Sequence, residues 1–116
     1  MIISNLNDYT RGWIIGNFQP SVLQTQNFEV GIMYHPKGQK NTPHYHAKVT
    51  EYNILISGSM IIQNTIIKAN TVFILEPYEI ADPEFLEDCI VVCVKTPSIP
   101  DDKYNLMEKT NEILSK

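Results

Sequence analysis

Apolar and polar residues alternate with period two along much of the first 96 positions. In residues 28–34, Phe28, Val30, Ile32 and Tyr34 fall on one face of an extended segment, and Glu29, Gly31 and Met33 on the other. Thr50–Ser57 is rich in β-forming residues, and Gly58 ends it with a residue suited to a reversal. Residues 59–63 and Thr65–Lys68 flank Asn64, which predicts a hairpin. Ala69-Asn70 is a second turn, followed by the β-branched segment Thr71–Leu75. Residues 89–95, CIVVCVK, are apolar almost throughout, which predicts a strand covered on both faces.

The flanks carry weaker signals. Residues 2–3 and 13–15 are candidate edge strands. Residues 17–26, with Pro20 and four side-chain amides, read as loop. His35-Pro36-Lys37-Gly38 is a turn that directs His35 toward solvent. No stretch before residue 100 has helical periodicity, and Asp101-Asp102 predicts the N-cap of a short helix from about Lys103. Many short strands separated by turns make an all-β sandwich or barrel. Length makes it one domain over residues 1–116: N-terminal edge strands and loop at 1–27, barrel core at 28–96, tail at 97–116.

Composition sharpens this picture by exclusion. A net charge of -4, with no Lys/Arg cluster in the sequence, argues against nucleic acid as the partner. The N-terminus MIISNLNDYTRGW lacks the basic and apolar regions of a signal peptide, and no apolar run reaches membrane-spanning length. Cys89 and Cys93 share one predicted strand about 13 Å apart, too far for a mutual disulfide. Two unpaired thiols fit a reducing cytoplasm and a role as small core residues.

The chemistry concentrates between Gly38 and Gly58, GQKNTPHYHAKVTEYNILISG. His44 and His46 are two apart, so on a strand both imidazoles face one side. Pro43 biases the approach to them toward extended geometry. Glu51 follows after a break at residues 47–50 and brings a carboxylate beside them. Two imidazoles and a carboxylate can hold a divalent ion with positions left open. Tyr52 points away from Glu51 by strand parity and reads as packing, and Lys95 reads as a snorkelling surface lysine.

The pattern G-x5-H-x-H-x4-E-x6-G, here Gly38, His44, His46, Glu51 and Gly58, resembles the first signature motif of the cupins. The resemblance implies a double-stranded β-helix, or jelly-roll barrel, whose mouth holds a metal. It also implies a homodimer, and the apolar N-terminal pieces are candidates for that contact. The second cupin motif, P-x-G-x-x-H, is degraded: Pro77 is followed by Glu79 for the glycine and Asp82 for the histidine. Asp82, or Glu79 if the alignment slips, is thus the candidate fourth ligand beside His44, His46 and Glu51. Such a set tolerates Mn, Fe, Ni or Zn. In a metal-free pocket, Glu79 and Asp82 become candidate general acid and base, because two close carboxylates cannot both ionise freely. The expected function is a metal-binding cupin that holds a small polar molecule with sugar- or carboxylate-like groups. The alternatives are a metal-free binding or epimerase-like cupin, or a non-catalytic subunit.

Overall fold

The structure, a computed structural model, describes residues 1–106. Eleven strands are present among them: β1 Trp13–Gly16, β2 Leu23–Gln24, β3 Glu29–His35, β4 His44–Tyr45, β5 Thr50–Ser57, β6 Ser59–Ile62, β7 Thr65–Lys68, β8 Thr71–Leu75, β9 Glu84–Phe85, β10 Cys89–Thr96 and β11 Tyr104–Asn105. A six-stranded sheet runs in the order β2-β1-β3-β10-β5-β8. Facing it are a three-stranded sheet, β7-β6-β9, and the pair β11-β4. Single bridges at Lys40–Glu84 and His44–Ala81 tie the smaller sheets together. The all-β expectation holds, and the hairpin at Gln63-Asn64 turns through two left-handed residues, as a tight hairpin requires.

The register of the large sheet decides which side chains face inward. Val91 pairs with Leu55, Cys93 with Asn53 and Lys95 with Glu51. These rows are the inner face. Read along β5 and β10 together, it passes from Leu55 and Val91 through Asn53 and Cys93 to Glu51 and Lys95. One end of the barrel is therefore a packed core of Leu55, Met60, Ile62, Ile67, Leu75, Phe85, Cys89 and Val91. The other end is polar and opens into a cavity. Gly58 turns the chain at the packed end with φ +87, and a Cβ there would lie 2.3 Å from the Asp88 carbonyl oxygen.

The two faces of β3 separate as read: Glu29 and Gly31 are buried on one, and Tyr34 is exposed on the other. Several other local expectations are corrected. Residues 2–3 form no strand and are exposed. Single 3-10 turns at Leu6–Asp8 and Thr10–Gly12 follow them. The stretch 17–26 contains β2, which pairs in parallel with β1. His35 is not a free turn residue: its ring stacks on Phe85 at 4.0 Å and its Nδ1 meets the Gln39 amide at 3.0 Å. Burial lowers its pKa below the usual value. The helix expected from about Lys103 does not start there: Tyr104 and Asn105 form β11, which pairs with β4, Leu106 is helical, and the rest of that expectation lies outside the described residues. Asp102 does not act as the expected N-cap: its carboxylate accepts the backbone N–H groups of Ala47, Lys48 and Val49.

Candidate functional site

The polar end of the barrel opens into a cavity of about 850 Å³, within the usual range for small-molecule sites. His44 and His46 sit on and just after β4, buried, with only 9% and 6% of their surface exposed. Their rings are 5.4 Å apart and nearly perpendicular. Tyr45 between them takes the opposite face, stacked between Tyr104 and Tyr78. The strand parity that places both imidazoles on one side thus has a visible counterpart on the other.

Backbone carbonyls fix both rings. His44 Nδ1 meets the Thr42 carbonyl oxygen at 3.0 Å, and His46 Nδ1 makes a short contact with the Asp102 carbonyl oxygen. A carbonyl only accepts, so each Nδ1 carries the proton. Each Nε2 is then left to accept from, or ligate, something else. His46 Nε2 has no directed hydrogen bond, although Glu51 Oε2 lies 3.0 Å away. Burial lowers the pKa of His44, which favours its neutral form. Burial would raise Glu51, but the His46 ring and the Lys95 charge outweigh it and hold the carboxyl down to about 2. Asn53 shares the inner face with Glu51, and its buried Nδ2 also lacks a hydrogen-bond partner.

The structure therefore brings His44, His46 and Glu51 to one cavity. Among the described residues, however, no three His, Cys, Asp or Glu side chains close on a common point. Donor types and imidazole orientation fit a divalent ion, and His46 Nε2 and Glu51 Oε2 lie 3.0 Å apart.

Neither Glu79 nor Asp82 joins them. His44 and Ala81 exchange backbone hydrogen bonds of 3.0 and 2.7 Å, and Ala81 lines the cavity. By parity its neighbour Asp82 faces out, where it accepts the Gln63 backbone N–H at 2.8 Å. Glu79 accepts the Glu76 N–H at 2.7 Å within its own turn. Asp82→Ala should consequently change any affinity of the cavity for a divalent ion less than about twofold and cost about 1 kcal/mol of stability, the loss of one partly exposed hydrogen bond. Titration calorimetry and urea unfolding check the two halves, and a tenfold loss of affinity would return Asp82 to the site.

Other residues at the site escape a reading of the sequence. Lys95 lies on the inner face, with its ammonium 4.8 Å from the Trp13 ring centroid, and is not a free surface lysine. Trp13 itself lines the cavity, packed so closely on Gly31 that a Cβ there would lie 2.6 Å from the ring. Asp102, only 3% exposed, accepts the backbone N–H groups of Ala47, Lys48 and Val49 at 3.1, 2.8 and 3.0 Å. Burial opposes its ionisation, yet these three donors hold its pKa below the usual carboxylate value. The parity of β5 could have found Asn53. No local pattern could have found Asp102, whose partners are more than 50 residues away.

No protein-family model matches the sequence, and no curated protein matches it. The likeness to known proteins is in three dimensions. An uncharacterized conserved protein with a double-stranded β-helix domain from Klebsiella pneumoniae subsp. pneumoniae superposes with a TM-score of 0.66 at 23% identity, over 89% of each chain. Ectoine synthase from P. lautus superposes at 0.61 and 15% identity, over 91% of this chain and 90% of that one. KdgF from Halomonas sp. superposes at 0.59 and 17% identity, over 66% and 76%. With the strand order and the inward-facing His44 and His46, these likenesses establish the architecture: the chain has the cupin fold, a double-stranded β-helix.

Proposed function

We propose that the barrel binds a divalent metal ion through His44, His46 and Glu51 and holds a small polar molecule beside it. The observation that carries this reading is how the two imidazoles are held from behind. Both Nδ1 atoms are occupied by backbone carbonyls, and His46 Nε2 is buried without a directed hydrogen bond. That is the arrangement in which imidazoles serve as metal ligands. The ion would supply Lewis acidity and a fixed charge for orienting the ligand. Mn, Fe, Ni and Zn all suit two imidazoles and a carboxylate.

The test is elemental analysis of protein purified without chelator or nickel-affinity steps, followed by titration with each ion. Stoichiometric metal is expected, and His44→Ala/His46→Ala should abolish it in a folded β-protein. Absence of metal, with no uptake of any of the four ions, overturns the reading. It would favour a metal-free binding cupin, a second reading supported by the His46–Glu51 contact, which offers an acid–base pair facing the cavity.

Assembly belongs to the same proposal. The apolar pattern of β10 suits two covered faces, yet the described chain covers only one. On the outer face of the large sheet, Tyr34, Ile90, Tyr52, Ile56, Val72 and Ile74 are each at least 38% exposed across four adjacent strands. A contiguous apolar face of this kind marks an interaction surface. A homodimer through it, rather than through the N-terminal pieces, should scatter light as twice the 13.3 kDa chain mass at micromolar concentration. Ile74→Lys should shift that mass to the monomer; a wild-type monomer sinks the proposal.

A further inference from the structure

Three of the nine Lys and Arg residues in this acidic chain line a single cavity. They are Arg11, Lys95 and Lys103. Only two carboxylates, Glu29 and Glu51, line it with them. Strand register accounts for one cation: Lys95 is paired with Glu29 on one side and with Glu51 on the other. It balances two charges that already have further partners, since Ser98 donates to Glu29 at 2.8 Å and His46 contacts Glu51. Arg11 and Lys103 are paired with no carboxylate in the sheet, and Glu51 acts on Lys103 only from beyond salt-bridge distance. Among the described residues, no carboxylate lies within salt-bridge distance of any of the three cations.

Bringing like charges together is unfavourable, and the chain accepts that cost here. Partial desolvation, then the charges of Lys95 and Arg11, lower the pKa of Lys103. Arg11 is held there by an unusual backbone. Its φ is +52, uncommon for a residue with a side chain, and Gly12 follows at φ +85. A Cβ on Gly12 would fall 1.9 Å from the Ile32 carbonyl oxygen, so only glycine lets this turn pack onto β3. The turn that sets Arg11 at the mouth also delivers Trp13 to the wall. An uncommon turn, two cations with no carboxylate in salt-bridge range and the Asn53 Nδ2 all face the same space.

We infer that Arg11 and Lys103 form an anion-binding mouth, which captures the carboxylate or phosphate end of a small organic ligand entering the barrel. A guanidinium and an ammonium together give a planar fork and a rotatable donor for an oxyanion. Behind them Asn53 Nδ2 offers a donor, and Met33, Phe73 and Val91 an apolar wall for an uncharged body. This deepens the ligand half of the function proposed above and is independent of its metal half.

The experiment is titration calorimetry at low ionic strength on the full chain, in the absence of added metal, with malonate, inorganic phosphate and glycerol as probes. One or both anions should bind and glycerol should not. Malonate alone assigns the mouth to carboxylates, and phosphate alone to phosphoryl groups. Arg11→Gln/Lys103→Gln should weaken the binding at least tenfold, with an unchanged circular dichroism spectrum because both side chains are exposed. His44→Ala/His46→Ala should retain anion binding even as it loses metal, which separates failure of the two readings. The inference is overturned if neither anion binds, or if the Arg11/Lys103 double variant binds as tightly as the wild type.

Discussion

Asp102→Ala is expected to destabilise the protein by about 3 kcal/mol, roughly 12 °C in unfolding midpoint for a chain of this size. The reason is asymmetric. Truncation removes one acceptor group but strands three backbone donors, those of Ala47, Lys48 and Val49, in a part of the chain where Val49 is 1% exposed. Leaving a buried donor unsatisfied costs about 1–3 kcal/mol, and water reaches only the more open of the three. The loop they belong to joins the two halves of the site, with His46 before it and Glu51 after it. Loosening residues 101–103 also withdraws the carbonyl that orients His46. The divalent-ion affinity proposed for the site should fall about tenfold, on the scale of a lost supporting interaction. Asp102→Asn, which keeps one carboxyl-like oxygen, should fall between. Acid adds a check on sign. The folded-state pKa is depressed, so this stabilisation is present above the unfolded value, and it is lost as pH falls through the folded one. Urea unfolding of the three proteins at neutral pH decides the matter, and superimposable curves would show that the loop is held by something else.

Asp102 also marks where the sequence stops being legible. An aspartate after two prolines, ahead of charged residues, reads locally as a helix cap. The same acceptor chemistry is used, but the donors belong to a loop 53–55 positions earlier. Pairing across such a separation leaves no local trace. By contrast, the strands and the joint placement of His44 and His46 are readable, because period-two alternation is a property of the backbone itself. On β3 the same alternation separates two faces but does not say which is inner: Glu29 and Gly31 are buried, and Tyr34 is exposed. Asp82 shows the same limit in another form. Motif spacing aligns it with a ligand position, and the pairing of His44 with Ala81 moves the inward position by one residue. A one-residue change in register sends a side chain to the opposite face.

Glu51→Gln should cost about 3 kcal/mol at pH 7 in the metal-free protein, and the cost should shrink steadily in acid. Glu51 titrates at about 2 in the folded chain against an ordinary value of 4.5. Its side chain is 15% exposed, so solvent screens its partners little. Every tenfold difference in proton affinity between the folded and unfolded chains is worth about 1.4 kcal/mol. Because the folded value lies below the unfolded one, the stabilisation is complete above about pH 5 and declines as protons bind the folded carboxylate. By linkage, the difference between wild type and variant should be about 1.4 kcal/mol at pH 3 and near zero below about pH 2. The source is the surroundings of the carboxylate: burial opposes ionisation, and the His46 ring and the Lys95 ammonium more than offset it. Glutamine preserves shape but carries no charge for the Lys95 ammonium. Unfolding free energies of both proteins, measured in urea from pH 7 down to pH 3, test this directly. A difference that stays constant across that range would mean that Glu51 contributes through packing alone. Equal stability at pH 7 would mean that the His46 contact and the field of Lys95 do no more than replace water.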